Sequence, residues 1–132
     1  MSLLVIDANI AFGVAASPEG VRELDGLDPI APALLWPETR SALHVAAVRG
    51  LITRGTAERA LEVLESGIVT ERRHRRLGRE AWAIADELGW TKTYDAEYLA
   101  LARVLGVPLA TLDRRLARAA ARVDVELDPR FG

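Results

Sequence analysis

The sequence of 132 residues contains no cysteine, only two histidines and a single lysine, Lys92. The lack of cysteine excludes disulfides, thiolate zinc sites, iron–sulfur clusters and cysteine nucleophiles. The two histidines, His44 and His74, do not have zinc-ligand spacing. Any bound metal is therefore expected to be a hard cation held by oxygen atoms.

Long apolar runs and a strong excess of one charge are also missing. The apolar start at residues 3–6 is interrupted by Asp7, far short of the roughly 18 apolar residues of a membrane helix. The net charge is −2 and 50% of the residues are hydrophobic, which is typical of globular proteins and argues against non-specific coating of nucleic acid. We therefore expect one cytoplasmic domain over residues 1–132, with no membrane segment.

Short apolar segments alternate with helical patterns, which indicates an α/β domain with a mainly parallel sheet. Strands are predicted at residues 2–6, 30–33, 68–70, 107–112 and 123–127. The first helix is predicted from a bend at residues 17–20 through Leu24, with Asp28-Pro29 breaking it. Further helices are predicted over residues 37–49, 56–65, 77–88, 95–105 and 114–122.

Four carboxylates stand at the ends of these elements. Asp7 follows the first strand and Asp113 follows the strand of residues 107–112, so both are expected at the carboxyl edge of the sheet, where ligands bind. Glu38 and Asp95 each begin a helix, at a position that continues its apolar stripe. Burying an unpaired charge is costly, and a single metal cation would offset all four charges.

Each of the four acids also has a structural explanation. Asp95 and Asp113 suit helix N-caps, Glu38 suits the first turn of a helix, and Asp7 could open a turn. Their common position at one edge nevertheless favours a functional site. Glu97, two residues after Asp95, is expected to point elsewhere.

A basic run of four arginines surrounds His74: Arg72, Arg73, Arg75 and Arg76. It could bind RNA phosphates, although such a run more often forms a solvated turn. The chain has no Ser/His/Asp constellation and no glycine-rich phosphate loop.

Four segments, in the same order along the chain, resemble the motifs of PIN domains. They are VIDAN at residues 5–9, PETRSAL at 37–43, TYDAEYLALA at 93–102 and VPLATLDRRL at 107–116. The spacing between the Tyr-Asp-Ala and Thr-Leu-Asp motifs is the most specific feature of the resemblance. The length also resembles that of free-standing PIN proteins of the VapC toxin kind.

The resemblance implies a three-layer α/β/α domain with a mainly parallel central sheet, acting as a single-strand-specific endoribonuclease dependent on Mg²⁺ or Mn²⁺. It gives a metal-coordinating, catalytic role to four acids: Asp7, Glu38, Asp95 and Asp113. Asn9 and Thr111 would orient Asp7 and Asp113. A homodimer and an antitoxin partner are also implied. Arg114-Arg115 stand where many family members carry a further acid, which argues against a complete two-metal site.

Two other functions fit part of the pattern. A phosphoaspartyl hydrolase or receiver domain would use Asp7 as the phosphate acceptor, but it needs a lysine that ends a strand, whereas Lys92 precedes a helix. A PIN-like module that only binds RNA or protein would not need all four acids. Hydrolysis of RNA phosphodiesters by metal-activated water is therefore the favoured reaction.

Overall fold

Four parallel strands form the central sheet of the computed structural model, which describes residues 2–131. The strands are β1 (Ser2–Ile6), β2 (Leu27–Ala31), β3 (Thr70–Glu71) and β4 (Leu109–Ala110), in the order β3-β2-β1-β4. β1 lies between β2 and β4, and its residues Leu4, Val5 and Ile6 are fully buried. This burial on both faces explains why β1 is a continuous apolar run instead of an alternating one.

Within residues 2–131, six α-helices flank the sheet: α1 (Ala8–Ala16), α2 (Leu35–Val48), α3 (Arg54–Glu65), α4 (Leu77–Leu88), α5 (Ala96–Leu105) and α6 (Arg114–Arg122). The first three pack against one another, whereas α4 packs on α5, and α5 packs on β1 and β4. The predicted three-layer α/β/α fold with a parallel sheet is confirmed. No helix within residues 2–131 is both long and apolar enough to span a bilayer.

The register of the sheet places the two strand-end motifs side by side. Ile6 of β1 pairs with Ala110 of β4, and both strands run in the same direction. The next residues, Asp7 and Thr111, therefore leave the sheet at the same edge and as neighbours. This edge is where the candidate site lies.

The first predicted helix is wrong in its position. The chain turns into α1 directly after Asp7, and only a short 3-10 turn, Gly20–Leu24, follows the bend that was expected to start a helix. The Asp28-Pro29 pair does not break a helix but lies inside β2. Proline is tolerated there because pairing of β2 with β3 begins only at Ile30, so β2 is still an edge on that side.

The last predicted strand, at residues 123–127, is also wrong. Asp124 has a left-handed φ of 60°, which interrupts an extended segment. Only a single bridge joins Leu127 to Leu109, with hydrogen bonds from Leu109 N–H to the Glu126 carbonyl (2.9 Å) and from Asp128 N–H to the Leu109 carbonyl (2.9 Å). The segment therefore extends the sheet edge at one position without forming a strand.

Candidate active site

Asp7 is the buried centre of the site, with 4% of its surface exposed. It caps α1, because its Oδ1 accepts a hydrogen bond from the backbone N–H of Ile10 at 3.0 Å. Its Oδ2 accepts a short hydrogen bond from the Thr111 hydroxyl. The carboxylate thus has two donors and no cationic partner among residues 2–131.

Thr111 connects Asp7 to the second strand-end acid. While its hydroxyl donates to Asp7, its Oγ1 accepts the backbone N–H of Asp113 at 3.0 Å. Asp113 in turn caps α6 by accepting from the backbone N–H of Arg115 (2.8 Å) and of Leu116 (3.3 Å). One threonine side chain therefore fixes the relative positions of two carboxylates that come from different strands.

Glu38 belongs to the first turn of α2 and is held by a residue of α5. The hydroxyl of the buried Tyr98 donates to Glu38 Oε1 at 2.5 Å. The predicted buried stripe of α2, which ran through Glu38, Ala42 and Val45, is wrong: Ala42 and Val45 are exposed. The helix instead buries Leu35, Thr39, Leu43 and Ala46. Glu38 lies beside this buried face, at the rim of the core.

Asp95 immediately precedes α5 but does not cap it, since its side chain accepts no hydrogen bond from that helix. It accepts instead from Arg115 Nη1 at 3.1 Å. The Arg115 guanidinium also lies over the Trp90 ring, 4.3 Å from its centroid. One arginine of the Arg114-Arg115 pair thus contacts one of the four carboxylates.

All four acids line one cleft of about 150 Å³ at the carboxyl edge of the sheet. Its other walls are Ala8, Asn9, Tyr98 and Leu116, so no Lys, Arg or His of residues 2–131 lines it. Burial raises the pKa of Asp7, and the nearby charges of Asp113 and Asp95 raise it further, against the lowering effect of the Thr111 and Ile10 hydrogen bonds. The cluster predicted from the sequence is therefore brought together, and only Asp95 of the four acids has a cationic partner within residues 2–131.

This donor set fits a hard divalent cation that keeps part of its hydration shell. Within residues 2–131, no group of three or more Asp, Glu or His side chains is placed so that it could hold a metal ion by itself. Mg²⁺ does not need such a group, because it usually binds one or two carboxylates and retains several waters. Asp7 and its neighbours could hold such an ion, with Glu38 and Asp95 facing the same space.

The motifs and the fold agree with a comparison against protein families, in which the model of the PIN domain matches residues 4–122. The chain belongs to the PIN-domain family. The VapC ribonuclease Mb0985 of Mycobacterium bovis and ribonuclease VapC9 of Mycobacterium tuberculosis are each 30% identical to it over 116 residues. These alignments cover 87% of this chain and 89% of each relative.

Solved structures also share the arrangement of this PIN domain. PAE2754 from Pyrobaculum aerophilum superposes with a TM-score of 0.69 at 25% identity, covering 89% of this chain and 86% of that chain. FitAcB from Neisseria gonorrhoeae superposes with a TM-score of 0.60, covering 96% of this chain and 97% of that chain. At 18% identity, the FitAcB likeness supports the fold alone.

The two residues predicted to orient the acids of the PIN domain, Thr111 and Asn9, differ in their hydrogen bonds. Thr111 contacts both Asp7 and Asp113, as described above. Asn9 lies on the cleft wall, but the hydrogen bonds of residues 2–131 include none between its side chain and Asp7. A role for Asn9 in orienting Asp7 therefore stays a prediction.

The arginine run follows β3, two strands away from Asp7. Arg72 donates its backbone N–H to the Ala31 carbonyl, and Arg73 pairs with Glu71 at 2.8 Å on the surface. None of the four arginines lines the acidic cleft. A contact between this run and RNA stays a prediction as well.

Sequence reasoning missed several residues around the acids. Tyr98 was not singled out within the motif TYDAEYLALA, although a buried tyrosine hydroxyl usually finds a partner, here Glu38. Glu97 does not line the acidic cleft, in agreement with the expectation that it points elsewhere, although burial and the charge of Glu38 raise its pKa. The stacking of Arg115 on Trp90 joins residues 25 positions apart and left no pattern in the sequence.

The geometry also disfavours the phosphoaspartyl alternative. Lys92, the lysine that such a site would require, lines a neighbouring cleft and not the acidic one.

Proposed function

We propose that this PIN domain is a divalent-metal-dependent, single-strand-specific endoribonuclease, with Asp7, Glu38, Asp95 and Asp113 as its metal-binding catalytic acids. The observation that carries the proposal is the convergence of these four carboxylates on one cleft without a lining cation. Such an excess of negative charge is unfavourable in the free protein and is offset when a cation binds. The ribonuclease names of the two mycobacterial relatives support the choice of substrate.

A bound Mg²⁺ or Mn²⁺ would supply a water of lowered pKa and would neutralise charge on the phosphodiester. The protein's own groups keep the carboxylates in place for that ion. The Thr111 hydroxyl holds Asp7, and the Thr111 oxygen holds the backbone of Asp113.

Tyr98 positions Glu38 and takes no part as a base. Burial raises the pKa of its hydroxyl, and the hydrogen bond to the Glu38 carboxylate raises it further. The hydroxyl therefore remains a protonated donor at neutral pH. With no histidine lining the cleft, no side chain there is suited to accept a proton near pH 7 as imidazole does.

Cleavage of a single-stranded RNA by purified protein tests the acid assignment. Wild type should cleave in Mg²⁺ or Mn²⁺ and stop in EDTA, whereas Asp7→Asn and Asp95→Asn should be inactive but folded by circular dichroism. Asp86→Asn, which alters an exposed acid of α4, is the matched control and should cleave like wild type. Equal cleavage by the Asp7 and Asp86 variants would disprove the acidic site.

We further propose that the protein acts as the toxin of a toxin–antitoxin pair, as a homodimer with a cognate antitoxin partner. Its similarity to VapC ribonucleases over 87% of the chain supports this role. Expression in a bacterial host should slow growth, expression of Asp95→Asn should not, and a co-expressed antitoxin should restore growth. Normal growth of cells that contain the folded, RNA-cleaving protein would argue against a toxin.

A non-catalytic RNA- or protein-binding module is the alternative. It requires that the folded protein bind its partner and leave RNA intact in Mg²⁺ and in Mn²⁺. The retention of all four acids in one cleft gives no support to this alternative.

A further inference from the structure

A second, larger cleft of about 490 Å³ opens directly beside the acidic one. The two clefts share Glu38 and Asp95 as wall residues, so they form one continuous surface. The remaining wall of the larger cleft comes from Arg115 and from the segment that joins α4 to α5: Gly89, Trp90, Thr91, Lys92 and Tyr94. Nothing in the proposed chemistry uses this segment.

Tyr94 presents a flat aromatic ring to this cleft. It is 58% exposed, in contrast to Tyr98, which is buried four residues later. Aromatic residues make up only 5% of the chain, and two of them, Trp90 and Tyr94, line this single cleft. An exposed tyrosine on a cleft wall offers a face on which a planar group can stack.

Lys92 adds a positive charge that the fold does not use. It is exposed, and the ion pairs within residues 2–131 do not include it. It is also the only lysine of the chain, since the other 16 basic residues are arginines. Its ammonium group is therefore available to an anion in the cleft.

Arg115 supplies a second positive charge, in a fixed orientation. One face of its guanidinium lies on the Trp90 ring and its Nη1 donates to Asp95. Its Nε and Nη2 donate to no acceptor in the described part of the chain. A planar guanidinium held in this way loses little freedom when its remaining N–H groups bind a phosphate.

The ligand that matches these features is a polyanion with planar groups along it. A duplex is a poor match, because its bases are stacked on one another and present no free face to Tyr94. A single strand offers both unpaired bases and phosphates, and aromatic platforms beside basic residues are the usual way of binding it. Because the cleft borders the acids, the RNA strand on one side of the cleaved phosphodiester would lie in it.

We propose that this cleft, lined by Trp90, Lys92, Tyr94 and Arg115, is a subsite for a nucleotide adjacent to the scissile phosphate of single-stranded RNA. Tyr94 stacks on its base, while Lys92 and the Arg115 guanidinium, supported by Trp90, bind flanking phosphates. The assignment rests on the proposed ribonuclease function, but binding can be measured separately from cleavage.

Fluorescence anisotropy of a short, labelled, unstructured RNA tests the subsite, with Asp7→Asn as the background so that no cleavage interferes. In Mg²⁺, adding Tyr94→Ala should weaken binding about 5- to 150-fold, the range found for the loss of one stacked base. Tyr94→Phe keeps the ring and should bind as the background protein does. Trp82→Ala, which removes an aromatic 66% exposed on α4 and outside both clefts, is the matched control and should have no effect.

The charge of the subsite is tested by salt. Lys92→Ala should reduce the slope of log K against log salt by about 0.7, which corresponds to one phosphate contact on a single strand. Arg22→Ala, a change near the start of β2 at the opposite edge of the sheet, should leave the slope unchanged. A Lys92 variant with an unaltered slope would contradict a phosphate contact at this position.

The results separate the subsite from the catalytic proposal. If Tyr94→Ala weakens binding while wild type leaves RNA uncut, the cleft binds a nucleotide of single-stranded RNA but the ribonuclease function fails. If wild type cleaves RNA but Tyr94→Ala and Lys92→Ala bind it normally, the subsite is wrong and the function stands. Equal affinity for a duplex of the same sequence, or an equal loss in Trp82→Ala, would also overturn the subsite.

Discussion

Thr111→Val removes one hydroxyl at the point where two of the proposed metal-binding acids meet. Valine has nearly the same shape as threonine, and the site is almost fully buried, with 5% of the residue exposed. The change deprives Asp7 of the donor to its Oδ2 and leaves the backbone N–H of Asp113 without the acceptor it has at 3.0 Å. Both consequences concern carboxylate position and not the overall fold.

The expected cost to stability follows from the stranded backbone donor. A buried polar group that loses its partner costs about 1–3 kcal/mol, and because the Asp113 N–H is only partly buried, the free energy of unfolding should fall by about 1 kcal/mol. For a chain of this length, a loss of 1 kcal/mol lowers Tm by about 4 °C. The loss of a carboxylate-orienting group should also weaken metal binding about 10- to 100-fold.

Thermal melts in EDTA and in Mn²⁺ distinguish the two effects. At a Mn²⁺ concentration about 100 times the wild-type Kd, binding should stabilise wild type by about 2.7 kcal/mol and the valine variant by only about 0.4–1.4 kcal/mol. Thr111→Ser retains the hydroxyl and should recover most of the metal response. If the valine variant gains as much from Mn²⁺ as wild type does, Thr111 does not position the metal ligands.

Four further substitutions can be tested by chemical or thermal unfolding. Burial raises the pKa of Asp7 in the folded chain above its ordinary value of 3.8. The stability that this raised pKa provides is therefore present below pH 3.8 and is lost as pH rises through the folded pKa. In EDTA, the free energy of unfolding of wild type should fall relative to that of Asp7→Asn as pH rises between these two pKa values. Gly20→Ala would place a Cβ 2.2 Å from the Val14 carbonyl oxygen and should lower the free energy of unfolding by at least about 2 kcal/mol. Gly78→Ala, in α4 with open space around the new Cβ, should raise it by about 0.5–1 kcal/mol. Thr39→Val removes a fully buried hydroxyl that has no partner within residues 2–131 and should gain about 1 kcal/mol.

The parts of the fold that were predictable are those in which local pattern and burial agree. The helices at residues 77–88 and 114–122 have the predicted bounds, because a single apolar stripe and clear terminal residues define each of them. Asp7 and Asp113 could be placed at one edge because each directly follows a buried strand. That inference needs only the parallel direction of the strands.

The first helix was missed because its sequence is weakly helical by itself. Residues 8–16 contain Gly13 and the β-branched Ile10 and Val14, and apolar residues occur on nearly every side. Tertiary packing against α2 and α3 stabilises the helix in spite of this. Asp7 was correctly placed at the strand end, but its second role as the N-cap of α1 was overlooked.

Aspartate therefore acts both as a helix cap and as a candidate metal ligand at this edge of the sheet, and the two roles are compatible. Asp7 and Asp113 each use Oδ1 to cap a helix, and Asp7 Oδ2 is fixed by Thr111. Asp95 makes no cap bond and pairs with an exposed arginine, an interaction worth little in water. A cation entering the cleft could therefore bind Asp95 beside Arg115, which contacts only its Oδ2, while the capped acids keep the positions that their helices impose. The capping interpretation and the site interpretation were alternatives in the sequence, but in the folded chain capping is what holds two of the four acids in place.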